Sequence, residues 1–154
     1  MRHGKDFFQT ATDACVKLKR RGLLLTRFAE NIEPSLPTNV KHIDFAPFSL
    51  LLPRCSALVH HGGIGTMAQG FAAGVPQLTM PMAHDQPDNT LRMKRLGCGD
   101  GLMPNRFKTA AVAAKLKGLL ENPQVKTNCE RVKGSLEKDN ALEKACVIIE
   151  QALG

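Results

Sequence analysis

Short apolar runs alternate with amphipathic stretches along the chain. Phe7, Phe8, Ala11, Cys15 and Leu18 recur at three- and four-residue spacing, and Lys17, Lys19, Arg20 and Arg21 gather before Gly22. This predicts a helix whose basic end suits the helix dipole and whose C-terminus is capped by Gly22. The compact apolar runs 23–28 and 40–45, separated by a Pro- and Asn-containing loop over 31–39, predict two buried strands. A short helix at 49–52 and a third strand at 57–60 follow. The strand runs into His61-Gly62-Gly63-Ile64-Gly65-Thr66, and then a helix over 66–73 that Gly74 closes and Pro76 prevents from continuing.

Farther on, the pattern predicts a fourth strand at 77–80, a loop with a helix start over 84–89, and a helix at 90–96 stopped by Gly97. A short fifth strand at 101–103 and an Ala- and Leu-rich helix at 109–120, ended by Asn122-Pro123, come next. A polar helix at 125–133 precedes a last helix opened by the capping box of Asn140 and Glu143, with Leu142, Ala145, Cys146, Ile149 and Leu153 on one face. Strands alternating with helices define an α/β domain: a Rossmann-like, doubly wound parallel sheet with helices on both faces. Such a domain opens on a strand that lies mid-sheet, whereas this chain opens on a helix. The first strand is therefore expected to be missing, through trimming or a misplaced start. The strands flanking the gap then either close up or receive a strand from another chain, which makes a homo-oligomer one of the expected states.

With 154 residues, the chain fits one domain, and 43% apolar with 23% charged residues is the balance of a soluble globular protein. The longest apolar runs, 22–25 and 45–53, fall short of the roughly 20 residues that span a bilayer, and no signal peptide opens the sequence, so a cytoplasmic protein without a transmembrane segment is expected. Cys15, Cys55, Cys98, Cys129 and Cys146 are scattered and form no CxxC pair, which predicts reduced, structural thiols. The net charge of +7 favours an anionic partner. No Trp or Tyr is available to stack on bases, and the basic residues form no local stripe, so a phosphate-bearing small molecule is expected and nucleic acid is not.

Strand, glycine-rich turn and helix together make a phosphate-binding arrangement, because unpaired N–H groups at a helix start meet a favourable dipole and glycines admit close approach. Gly63, Gly65 and Ala68 also fit G-x-G-x-x-A, and Asp85 stands 20 residues past Gly65, the pattern of a nicotinamide-dinucleotide site. That fingerprint belongs to the first strand–helix turn, whereas here it follows the third visible strand. A metal cluster of His60, His61, His84 and Asp85 is opposed by strand alternation, which sends adjacent histidines to opposite faces. By the same alternation only one histidine of the pair is expected to reach a ligand, and His61 is assigned that role, with His60 left either to packing or to supporting the residues that touch the ligand. Gly62, Gly70 and Gly74 are compatible with turns and close helix–sheet packing alone.

The segments FAPFSLLLPRCSALVHHGGIGTMAQGFAAGVPQLTMP and MAHDQPDN decide among these readings. Their order and spacing resemble the donor-binding signature of the UDP-glycosyltransferase and sterol-glucosyltransferase superfamily, enzymes of two facing Rossmann-like domains (the GT-B fold). The resemblance implies that residues 1–154 form the C-terminal, donor-binding domain of an inverting transferase, with the N-terminal acceptor domain supplied in cis or in trans. The implied reaction moves a hexose from a UDP- or dTDP-sugar to a lipophilic hydroxyl, with no cofactor and no metal. Four other readings remain: the donor-binding subunit of a split transferase, a nucleotide-sugar sensor, and, within the same fold, a nucleotide-sugar epimerase or a lipid-intermediate N-acetylglucosaminyltransferase.

By resemblance, His61 bonds the diphosphate and stabilises the departing group, while the general base lies outside the chain. Gly62, Gly63, Gly65 and Thr66 match the turn that holds the phosphates, with Asn89 a further polar position beside them. Asp85 and Gln86 match the acid and amide that bond sugar hydroxyls; standing alone, Asp85 would equally serve as a helix N-cap. Phe45, Pro47 and Phe48 match the seat of the pyrimidine ring, where plant relatives have Trp and Gln at the two Phe positions. Gln69 stands where those relatives have a ribose-binding Glu.

Overall fold

The protein is described by a computed structural model over residues 4–138 and 141–153. Helix α1 (Gly4–Lys17) leads to strand β1 (Gly22–Leu25), which pairs in parallel with β2 (Val40–Ile43). The short α2 (Phe48–Leu51) precedes β3 (Leu58–His60), α3 (Ile64–Ala72) and β4 (Gln77–Thr79). Helix α4 (Gln86–Arg95), β5 (Gly99–Gly101) and helices α5 (Thr109–Glu121), α6 (Pro123–Lys138) and α7 (Ala141–Leu153) complete the order. Strands β3, β4 and β5 form a second parallel ladder. The expected α/β architecture is thus present, with the strands divided between two sheets.

The sheets carry helices on both faces. On one, Ala14 of α1 and Val112, Ala113, Leu116 and Leu119 of α5 bury Leu78 and Met80 at β4, with Phe7 stacked on Phe107 at 5.1 Å. On the other, Met67 of α3, Met93 of α4 and Cys129 of α6 enclose Cys98. Burial of these large side chains supplies most of the drive to fold, about 1.5–3 kcal/mol each.

Strands β1 and β3 do not pair; they flank a cavity of about 410 Å³ that Leu24, Leu58, Phe7, Phe8 and Leu116 help to line. Of the two outcomes expected for an absent first strand, the closing-up of its neighbours does not occur.

Three helix ends share one device. Arg20 N–H reaches the Cys15 carbonyl and Lys19 N–H that of Val16, both at 3.0 Å, so α1 ends in a Schellman turn. The same pairs form at Gly74 and at Gly97. The sequence assigned the α1 cap to Gly22, and this is corrected: Lys19 takes the left-handed conformation, with φ 53°. Gly22 instead opens β1, where a Cβ would lie 2.7 Å from the Cys15 sulfur.

The fifth strand is also displaced, to 99–101 from the expected 101–103. Its ladder aligns Gly99 with Gln77 and Gly101 with Thr79, and a Cβ on Gly99 would collide with the Gln77 carbonyl. A strand that must be Gly-Asp-Gly reads as a turn. The five cysteines are free thiols, and Ala145, Cys146 and Ile149 on α7 are exposed; Asn140, the expected cap of that helix, lies outside the described residues. Among the described residues no helix is long and apolar enough to cross a membrane.

Candidate functional site

The loops and helix starts that follow β2, β3 and β4 hold the residues the sequence singled out. At the end of β3, His60 is buried and the following His61 exposed, as strand alternation requires, with their rings 6.2 Å apart and nearly perpendicular. Gly62 then turns the chain at φ 92°, a conformation that favours glycine. A Cβ on Gly63 would lie 2.6 Å from His61 Nε2, so the bare Gly63 leaves room for the imidazole over the loop. Gly65 differs from both, since a Cβ there would meet no protein atom within 4 Å. Neither packing nor φ demands glycine at this position.

Helix α3 starts at Ile64 with Gly63 as N-cap and no side chain capping it. Its first N–H groups therefore project from the loop beside the exposed His61 and the half-buried Thr66. Thr66, His61 and Phe48 line the same cavity that separates β1 from β3.

Asn89 joins this loop to the segment after β4. From the second turn of α4 its Nδ2 donates to the Gly62 carbonyl at 3.1 Å and to Asp85 Oδ2 at 2.6 Å. Asp85 occupies the N-cap position of α4 yet makes no capping bond. Its carboxylate, exposed and oriented by Asn89, does not perform the capping role that the residue type alone allowed. Gln86 Oε1 accepts from the Met82 and Ala83 N–H groups at 2.8 and 3.3 Å, leaving its amide N–H groups to point elsewhere. His84, just before this pair, holds φ 57°; such strain in a non-glycine residue is tolerated where neighbours fix it.

Phe45 is 65% exposed, and Pro47 caps the N-terminus of α2. The Arg27 guanidinium sits 5.6 Å from the Phe45 ring centroid. Arg27 escaped the sequence reading because it lies 18 residues away in a loop with no motif of its own. Gln69 is exposed on α3, and no described residue bonds its side chain. The structure thus brings Gly62, Asp85 and Asn89 into one hydrogen-bonded unit, with His61 and Thr66 beside it.

Beneath the loop, burial drives the His60 imidazole down to about 4; the bond to Gln77 opposes the shift and His61 adds to it. The ring is neutral at neutral pH.

The chain is a Rossmann-like C-terminal domain of the GT-B architecture, the class its fold defines. It belongs to the family described as erythromycin biosynthesis protein CIII-like, C-terminal domain, which matches residues 24–145. O-mycaminosyltylonolide 6-deoxyallosyltransferase of Streptomyces fradiae is 34% identical over 139 residues, 90% of this chain and 32% of that protein. A solved glycotransferase of kitacinnamycin superposes with a TM-score of 0.85 at 25% identity, over 95% of this chain and 39% of its own. Glycosyltransferase VinC, solved in complex with dTDP, gives 0.67 at 25% identity, over 79% of this chain and 40% of its own. The chain spans between about a fifth and a third of the length of the curated relatives it matches, from 20% to 32%.

Proposed function

We propose that this chain is the donor-binding part of an inverting glycosyltransferase that moves a deoxyhexose from a dTDP-sugar to a hydroxyl of a lipophilic acceptor. The observation that supports this most directly is Gly65, a helix-start glycine above which no protein atom lies, beside the exposed His61. A diphosphate lying there would receive the α3 N–H groups, the Thr66 hydroxyl and an imidazole N–H from His61. Asp85 would accept from a sugar hydroxyl and the Gln86 amide would donate to another. The pyrimidine would stack beside Phe45 and Arg27, with Pro47 and Phe48 closing that side and Gln69 within the ribose region. The deoxysugar and the dTDP carrier are drawn from the relatives, and UDP is the competing carrier.

In this reaction the acceptor oxygen bonds to the anomeric carbon as the bond from that carbon to the diphosphate oxygen breaks. The acceptor proton passes to a base outside these residues, in an N-terminal acceptor domain. His61 stabilises charge on the departing oxygen, which develops in the transition state. The chain alone is expected to bind nucleotide weakly and to transfer nothing.

Calorimetric titration of the wild type and His61→Ala with dTDP, UDP and NAD tests this reading. The wild type should bind dTDP, and the variant should bind it about tenfold more weakly, the effect of losing one hydrogen bond to a charged group. Equal binding by both would remove His61 from the site. Binding of NAD alone would replace the nucleotide sugar with a dinucleotide.

A further inference from the structure

A buried polar chain runs under the glycine loop, and the direction of each of its hydrogen bonds is fixed. Gly62 N–H can only donate, so His60 Nδ1, 3.1 Å away, must be bare and accept. The His60 proton therefore sits on Nε2 and is donated to Gln77 Oε1 at 2.9 Å. Gln77 in turn donates from Nε2 to the Met67 carbonyl of α3 at 3.2 Å. His60 is 6% exposed and Gln77 is fully buried. Gly70 makes room for this carboxamide, since a Cβ there would lie 2.5 Å from Gln77 Cδ.

This network meets the loop at a single residue. The Gly62 N–H is held by His60 and its carbonyl by Asn89, from opposite elements of the fold. Free rotation of the two peptides that flank Gly62 would redirect both the His61 side chain and the first N–H groups of α3. A packing role for His60 would need neither the Nδ1 acceptor nor a particular tautomer.

We propose that His60 is the positioning residue of the diphosphate loop: a neutral, Nε2-protonated imidazole, locked by Gln77, whose Nδ1 fixes the Gly62 amide and so aims the α3 N–H groups at the diphosphate. The proposal rests on the donor-site reading above. Gln77 is its orienting partner, and Gly70 is the space that admits it.

Two variants separate the ring's two functions. In His60→Asn the carboxamide oxygen falls near the Nδ1 position and can still accept from Gly62. In His60→Gln the amide falls near Nε2 and can still donate to Gln77, but the Gly62 N–H loses its acceptor. Titration of the 154-residue protein with dTDP should give an affinity for the Asn variant within about threefold of wild type and a loss of about tenfold or more for the Gln variant, the effect of one buried unsatisfied donor. Equal losses in both variants, or no loss in the Gln variant, would overturn the proposal while wild-type binding upholds the donor site. Failure of the wild type to bind any nucleoside diphosphate would overturn the donor site, and the loop role with it. Nitrogen-detected NMR of the wild-type imidazole gives a readout independent of ligand and of variant folding. The proton is expected on Nε2 at neutral pH, and a proton on Nδ1 would end the proposal.

Discussion

Asn89 lies 27 residues beyond Gly62, yet its amide nitrogen sits 3.1 Å from the Gly62 carbonyl oxygen and ties α4 to the glycine loop. The bond is buried, so removing the donor leaves a carbonyl without a partner, at about 1–3 kcal/mol. Asn89→Leu should lower the thermal midpoint and weaken dTDP binding about tenfold, because the glycine loop proposed to hold the diphosphate loses its tie to α4. Calorimetry at matched temperature checks this, and an unchanged affinity would show that the loop holds its shape without α4.

Gly65 and Gly62 should respond oppositely to alanine. Gly65 lies inside α3 with open space around it, so Gly65→Ala should raise stability by about 0.5–1 kcal/mol, the usual helix gain. The same methyl would stand where the diphosphate is proposed to lie and should reduce nucleotide affinity. Gly62→Ala should destabilise, with a left-handed backbone and a Cβ 3.3 Å from the Gln86 carbonyl and the Thr90 hydroxyl. Urea unfolding and titration of both variants give four values. A Gly65→Ala protein that binds dTDP normally would clear the phosphates from that surface.

Phe45 contributes little to folding at its exposure, so Phe45→Ala should leave the unfolding midpoint nearly unchanged. Loss of a stacking partner should nevertheless weaken dTDP about tenfold, in line with roughly 1–3 kcal/mol per stacked base. Undiminished binding would move the pyrimidine elsewhere.

Asp100 bridges Lys94 of α4 and Lys115 of α5. Burial pushes its carboxyl up, but the bonds from Lys115, Lys94 and the Gly101 N–H outweigh burial and hold it below the ordinary 3.8. A depressed folded-state value means that the stabilisation is present above pH 3.8 and is lost as the pH falls through the folded value. With both lysines half-exposed, on the order of 1 kcal/mol is expected. Asp100→Asn should flatten the acid limb of stability measured by urea unfolding between pH 5 and pH 2, on the order of the window in which carboxylates protonate. Identical acid limbs would show the pair to be screened away.

Much of the fold was legible because glycine and proline punctuate it. Gly74 and Gly97 end α3 and α4 as the sequence indicates, since left-handed caps favour glycine. Lys19 defeats the same rule by taking that conformation itself, which leaves Gly22 for a close approach to Cys15. The glycine loop and the exposed His61 were legible from strand alternation and motif. The union of Gly62 with Asn89, the cation over Phe45 and the polar chain from Gly62 to Met67 were not. Each depends on elements meeting in space, and no local periodicity encodes that.

The split between β1 and β3 has a mechanical consequence. Arg27 and Phe45 stand just beyond β1 and β2, whereas His61, Asp85 and Asn89 stand beyond β3 and β4, and among the described residues no backbone ladder joins the two sheets. A nucleotide touching both groups would be a cross-brace, its base anchored on one sheet and its phosphates on the other.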